Sequence, residues 1–181
     1  MKKICFLGDS IRMNYTPRTM ELLGQGYEYI SPADNCRFAK YTSRMIFDMR
    51  ASLSGSEVIH YNNGLWDLCD LWGEGTFTPL DEYVSTVVAN ARRLLTMTKT
   101  LIFATTTPVR PENPYDSTAV IRKANAAVVP ELRALGVVIN DLHEVIAADI
   151  PRYICDDYIH LTDEGKEAAA QHNAAFIRQY L

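Results

Sequence analysis

Gly8-Asp9-Ser10 follows a short apolar run directly. Glycine permits a sharp turn there, and the serine then stands at the mouth of a helix, beside N–H groups that lack intrahelical acceptors. Such groups stabilise the oxyanion formed when a serine hydroxyl attacks a carbonyl. The bland reading is a strand-to-helix turn with serine as N-cap, but composition yields this tripeptide only about 0.03 times per chain. Asp157-Tyr158-Ile159-His160 supplies the second part. Serine is inert until a base takes its proton, and an imidazole base needs an acceptor on its other nitrogen to fix its tautomer. A carboxylate three residues earlier on a loop can reach back to do this, with Asp156 as the alternative. That spacing arises about 0.3 times per chain by chance, so alone it is weak.

A third feature is His60-Tyr61-Asn62-Asn63-Gly64-Leu65-Trp66-Asp67. Two asparagines and a glycine can turn the chain and aim an amide into a crevice, where an asparagine N–H serves as an oxyanion donor. The same residues also make an ordinary turn.

These residues are far apart, so the fold must gather them. Ile4–Leu7, Val58–Tyr61, Leu101–Thr105 and Val137–Ile139 read as buried parallel strands, with Tyr27–Ile30 a weaker fifth. Asp81–Met97, Ser117–Leu135, Thr162–Tyr180 and Lys40–Leu53 carry helical spacing. Alternation of the two implies an α/β domain with a parallel sheet covered on both faces and a ligand crevice beyond the strands' carboxyl ends. Each of the three features follows a strand or precedes the last helix.

The chain has 181 residues, one domain's worth, spanning 1–181. With 48% hydrophobic and 22% charged residues, disorder and coiled coil are excluded. A net charge of −4 leaves no electrostatic footprint for nucleic acid. No run approaches the roughly 20 apolar residues of a membrane span. The apolar run after Lys2-Lys3 is shorter than the about 7–15 residues of a signal core, so a cytoplasmic location is expected. The four cysteines (Cys5, Cys36, Cys69, Cys155) lack ligand-like spacing and read as reduced thiols, with no metal and no cofactor expected.

Gly-Asp-Ser after the first strand, the Asn/Gly turn after the third, Thr105–Pro108 after the fourth and Asp-x-x-His before the last helix together resemble the SGNH, or GDSL-type, hydrolases. The resemblance covers nearly the whole chain. It implies a flavodoxin-like three-layer α/β/α fold with a five-stranded parallel sheet of order 2-1-3-4-5. It also implies a metal-free serine hydrolase acting on a small-molecule ester or thioester. Ser10 is then the nucleophile, His160 the base and Asp157 its orienting acid; Asp9 belongs to the motif but not to the triad.

Two blocks depart from the family's usual pattern. Where Gly-x-Asn-Asp is common, this chain has Asn62–Asp67, similar to an Asn-x-Gly-aromatic pattern of some carbohydrate esterases. The side-chain oxyanion donor is expected at Asn62, with Asn63 as the alternative. The second block, Asn35–Lys40, has no glycine, and a backbone donor is expected around Ala39 or Lys40, beside the Ser10 N–H. Asn63, Trp66 and Asp67 are the expected substrate-binding residues. Trp66, Trp72 and Phe77 form either an aromatic wall or ordinary packing. Asp141, His143, His60 and His172 read as structural.

The expected activity is hydrolysis of a small-acyl ester, such as an acetyl ester of a carbohydrate or metabolite. Thioesterase or lysophospholipase action on the same fold, or a degenerate flavodoxin-like binding module, are the alternatives.

Overall fold

The computed structural model describes residues 1–181. Its strands are short runs of the kind buried on both faces of a sheet. In β1 (Lys2–Leu7), Ile4 to Leu7 are sealed from solvent, as are Val58, Ile59, His60 and Tyr61 of β3 (Ser56–Tyr61) and Ile102, Phe103 and Ala104 of β4 (Thr98–Ala104). At the edges lie β2 (Tyr27–Ile30), with no buried residue, and β5 (Val138–Asn140). All neighbours pair in parallel, in the order β2-β1-β3-β4-β5.

The helices pack in two groups with the sheet between them, a three-layer α/β/α arrangement. In one, α1 (Ser10–Leu23) meets α8 (Asp163–Arg178), which also holds α6 (Leu142–Ala147) and α7 (Ile150–Tyr153). In the other, α2 (Ala39–Leu53) packs on α4 (Leu80–Leu95), and α4 on α5 (Thr118–Ala134). A four-residue helix, α3 (Leu65–Leu68), follows β3 and touches α5. One cluster of 37 buried hydrophobic residues runs through the molecule, so a single core stabilises every element. No helix is long and apolar enough to cross a membrane, and the four cysteines are unbridged.

Because the strands are parallel, the segments leaving β1, β3 and β4 emerge along one edge. Gly8–Ser10, Asn62–Gly64 and Thr105–Pro108 therefore lie side by side. Cross-links hold them there: Asn62 N–H donates to Leu7 O (3.1 Å), and Thr106 Oγ1 donates to Asn63 O (2.7 Å).

Candidate active site

At Gly8 the chain leaves β1 with φ +151°, and a Cβ there would overlap Asn62 Oδ1, so only glycine fits. Asp9 is the N-cap of α1: its Oδ1 accepts from the Ile11 N–H (3.0 Å) and from Asn62 Nδ2 (2.9 Å). Burial pushes the Asp9 carboxyl above the usual carboxylate range, against the opposing pull of those N–H groups and the Arg12 charge. Its Oδ2 has no partner. Ser10 is thus the first residue of α1, held by a cap that is itself tied to β3.

The buried Arg12 clamps the segment just before the second block onto this turn. Its guanidinium donates to Ser31 Oγ (2.9 Å), Pro32 O (3.0 Å) and Asp34 O (2.8 Å), and the Cys36 N–H reaches Gly8 O (3.0 Å).

The loop before α8 turns back on itself. Cys155 N–H donates to His160 O, Tyr158 adopts φ +73°, and Arg110 fastens the loop from outside through Ile154 O (2.8 Å) and Asp156 (2.9 Å). Asp157 Oδ1 accepts the N–H groups of Ile159 and His160 (3.0 and 2.9 Å), which leaves Oδ2 facing the imidazole. Burial disfavours the charged Asp157, but these N–H groups and the imidazole outweigh it and hold the carboxyl below its usual range.

The structure brings Ser10, Asp157 and His160 together. His160 Nδ1 lies 2.7 Å from Asp157 Oδ2, and His160 Nε2 lies 2.8 Å from Ser10 Oγ. With the Nδ1 proton directed at the carboxylate, Nε2 accepts from the serine hydroxyl. That geometry can remove a proton from Ser10 as it attacks. Asp156, the alternative carboxylate, faces Arg110 and solvent instead.

Around the serine, the Asn62 amide donates to Asp9 and its carbonyl faces Tyr15 Oη (3.5 Å). The Ala39 N–H is taken by Asp67 Oδ2 (2.9 Å). The Lys40 N–H, in the open first turn of α2, has no helical acceptor, while its ammonium pairs with Glu82.

Three residues expected to bind substrate part company. Trp66 lines the cavity beside Ser10. Asn63 and Asp67 do not reach it, because both are buried and engaged in structural bonds. Asn63 accepts from Tyr61 Oη (2.7 Å) and donates to Arg37 O (2.8 Å), joining β3 to the second block. Asp67 caps α2 through Ala39 and accepts from Thr78 Oγ1 (2.9 Å) on its other oxygen. Burial pushes its carboxyl up to about 6.

Sequence reasoning missed a buried polar chain behind Asn62. His60 is sealed, and burial pushes its imidazole down to about 3, so it is neutral. Asn140 Nδ2 lies 3.1 Å from His60 Nε2, which must therefore accept, so Nδ1 carries the proton and points at Tyr15 Oη (3.4 Å). The Tyr15 hydroxyl then points to Asn62 Oδ1. Nothing in the spacing of residues 15, 60, 62 and 140 signals this.

No protein-family model matches the chain, and no curated protein does. Solved structures match closely in shape and weakly in sequence. A lipase/acylhydrolase from Enterococcus faecalis superposes with a TM-score of 0.79 at 13% identity, over 99% of this chain and 96% of that one. An acetyl xylan esterase gives 0.76 at 19% identity, over 97% and 99%. The acetylxylan esterase of Geobacillus stearothermophilus gives 0.76 at 16%, over 99% and 94%. The fold of this chain is the one those proteins share.

Proposed function

We propose that this chain is a serine esterase that works through an acyl-enzyme. Ser10 Oγ attacks the ester carbonyl while His160 Nε2 takes its proton, and Asp157 stabilises the imidazolium that results. The tetrahedral oxyanion rests on the N–H groups of Ser10 and Lys40 and on the Asn62 amide. His160 returns its proton to the departing alkoxide, leaving an acyl group on Ser10. Water, deprotonated by the same nitrogen, then attacks the acyl carbonyl; free acid is released and Ser10 regains its proton. Each half-reaction returns His160 to the protonation state in which it began.

The observation that carries this reading is the unbroken line from Asp157 Oδ2 through His160 to Ser10 Oγ, at 2.7 and 2.8 Å. Esterase and acylhydrolase neighbours on the same fold add support. The acyl-binding detail differs from the sequence expectation in emphasis. An acetylated carbohydrate fits the descriptions of the two acetyl xylan esterases, whereas the apolar wall beside Ser10 favours the alternative of a more hydrophobic ester.

A fluorophosphonate probe tests the nucleophile. Mass spectrometry should find one adduct, on Ser10, absent from Ser10→Ala. A degenerate binding module with this fold gives no adduct.

A further inference from the structure

The crevice holding Ser10 and His160 opens into a cavity of about 530 Å³, in the range that encloses whole small-molecule ligands and far beyond an acetyl group's needs. Eight of its twelve lining residues are hydrophobic, among them Phe38, Leu65, Trp66, Leu71, Phe77 and Ile159. Apart from Ser10 and His160 and the Tyr115 hydroxyl, polar side chains come only from Asn35 and Asp116. Asn35 Oδ1 already accepts from the Arg37 N–H (2.7 Å), and Asp116 Oδ2 from Asn113 Nδ2 (3.1 Å), while the buried Asp116 Oδ1 has no partner. A carbohydrate seated here would lose water from several hydroxyls and find few partners, each loss unfavourable.

The mouth repeats this chemistry. The molecule exposes eight large hydrophobic side chains, and four of them, Trp66, Leu71, Phe77 and Tyr115, line this one cavity. Trp72, next in sequence to Leu71, is 81% exposed. Such clustering marks a binding surface, whereas scattered apolar residues do not. The wall is also fixed in place. The Asp70 N–H donates to Tyr115 O and the Phe77 N–H to Cys69 O, both at 2.7 Å, joining the segments that build it.

We propose, resting on the serine-esterase reading above, that the substrate is an ester bearing an uncharged apolar group of about six to ten carbon atoms or more, which lies along the apolar wall of this cavity during attack by Ser10. The group is either the acyl chain or the alcohol part of the ester; both present the same chemistry to the wall.

Two substrate series separate those sources: methyl esters from acetate to decanoate, and acetate esters from methanol to decanol. Each methylene that enters the cavity should raise kcat/KM by about fourfold until it is full. A steep rise in the first series places the chain on the acyl side, and in the second on the alcohol side. Leu71→Asp, at a half-exposed position that tolerates a polar residue, should remove at least tenfold of that preference. Binding is read separately in Ser10→Ala by fluorescence of Trp66 and Trp72, with methyl octanoate, octyl acetate and methyl acetate as probes. At least one octyl probe should bind ten times or more tighter than methyl acetate.

Flat profiles in both series, with methyl acetate still cleaved, would overturn the substrate class and leave the esterase reading standing. Faster cleavage of an acetylated xylose oligomer than of any octyl ester would overturn it too. Absence of turnover and of a Ser10 adduct, while Ser10→Ala binds an octyl probe selectively, removes the esterase reading but supports the apolar occupant. Failure of Ser10→Ala to prefer octyl probes counts against that occupant.

Discussion

Asn62 Nδ2 donates to Asp9 Oδ1 across 2.9 Å, joining the exit of β3 to the residue that caps the helix beginning at Ser10. The bond fixes one N–H of the amide and thereby the direction of the other. If that second N–H serves the oxyanion, its contribution grows only as negative charge develops. Asn62→Ala should then lower kcat by roughly 10²–10³ with little change in KM. Asn63→Ala should lower the melting temperature and touch kcat only mildly, since its side chain ties Tyr61 to Arg37. Steady-state kinetics and melting curves on the pair check this. A larger loss of kcat at Asn63 would place the donor one residue later.

The Tyr15 hydroxyl stands between the His60 imidazole and the Asn62 carbonyl. Tyr15→Phe leaves two buried polar atoms without that partner, costing about 1–3 kcal/mol of stability. Because the carbonyl loses its guide, kcat should also fall by roughly tenfold at unchanged KM. A purely structural tyrosine would shift the melting temperature and leave kcat alone.

Arg12 is 3% exposed, and its guanidinium holds three groups of the segment just before the second block, Ser31 to Asp34, near Gly8. Arg12→Leu strips those groups of a donor and removes a positive charge that favours the Asp9 carboxylate. Denaturant unfolding should show a loss of about 3–5 kcal/mol, from buried acceptors left unpaired. A loss below about 1 kcal/mol would mean that water replaces the guanidinium without penalty.

Asp67 gives a pH dependence of stability. Its folded pKa of about 6 exceeds the ordinary carboxylate value of 3.8, so between these values the folded state binds more protons than the unfolded one. Stability contributed by the protonated form is full below the lower value and is lost as pH rises through the higher. Asp67 should therefore reduce stability by at most about 3 kcal/mol between pH 4 and 6. Asn at this position can still accept from Ala39. Asp67→Asn should lose this slope, as measured by melting temperature across the window; an unchanged slope would place the titration elsewhere.

The strands are legible in the sequence because β1, β3 and β4 bury continuous apolar runs, whereas the three-layer class and the sheet order come from the family resemblance that the order of the motifs carries. The length of the helix that begins at Ser10 is not legible. Its hidden face holds Arg12, Thr16 and Thr19 beside Ile11, Tyr15 and Leu23, and Pro17 lies inside it, so no clean apolar stripe marks its length. Of these residues Arg12 forms the clamp and Tyr15 joins the Asn62 chain, roles which only tertiary structure reveals. Asp67 is expected to bind substrate as a member of the Asn62–Asp67 block, yet it caps a helix that begins 28 residues earlier in the chain. Caps from a distance leave no local signature. Leu71 and Tyr115 line the cavity from two separate loops, where no periodicity links them.

The central claim is that Ser10 and His160 act as one unit, and a double-mutant cycle on kcat tests it most directly. Ser10→Ala and His160→Ala should each lower kcat by about 10⁴ or more, and the double mutant should be hardly slower than either. Losses that multiply in the double mutant, or near-normal turnover by Ser10→Ala, would contradict the account.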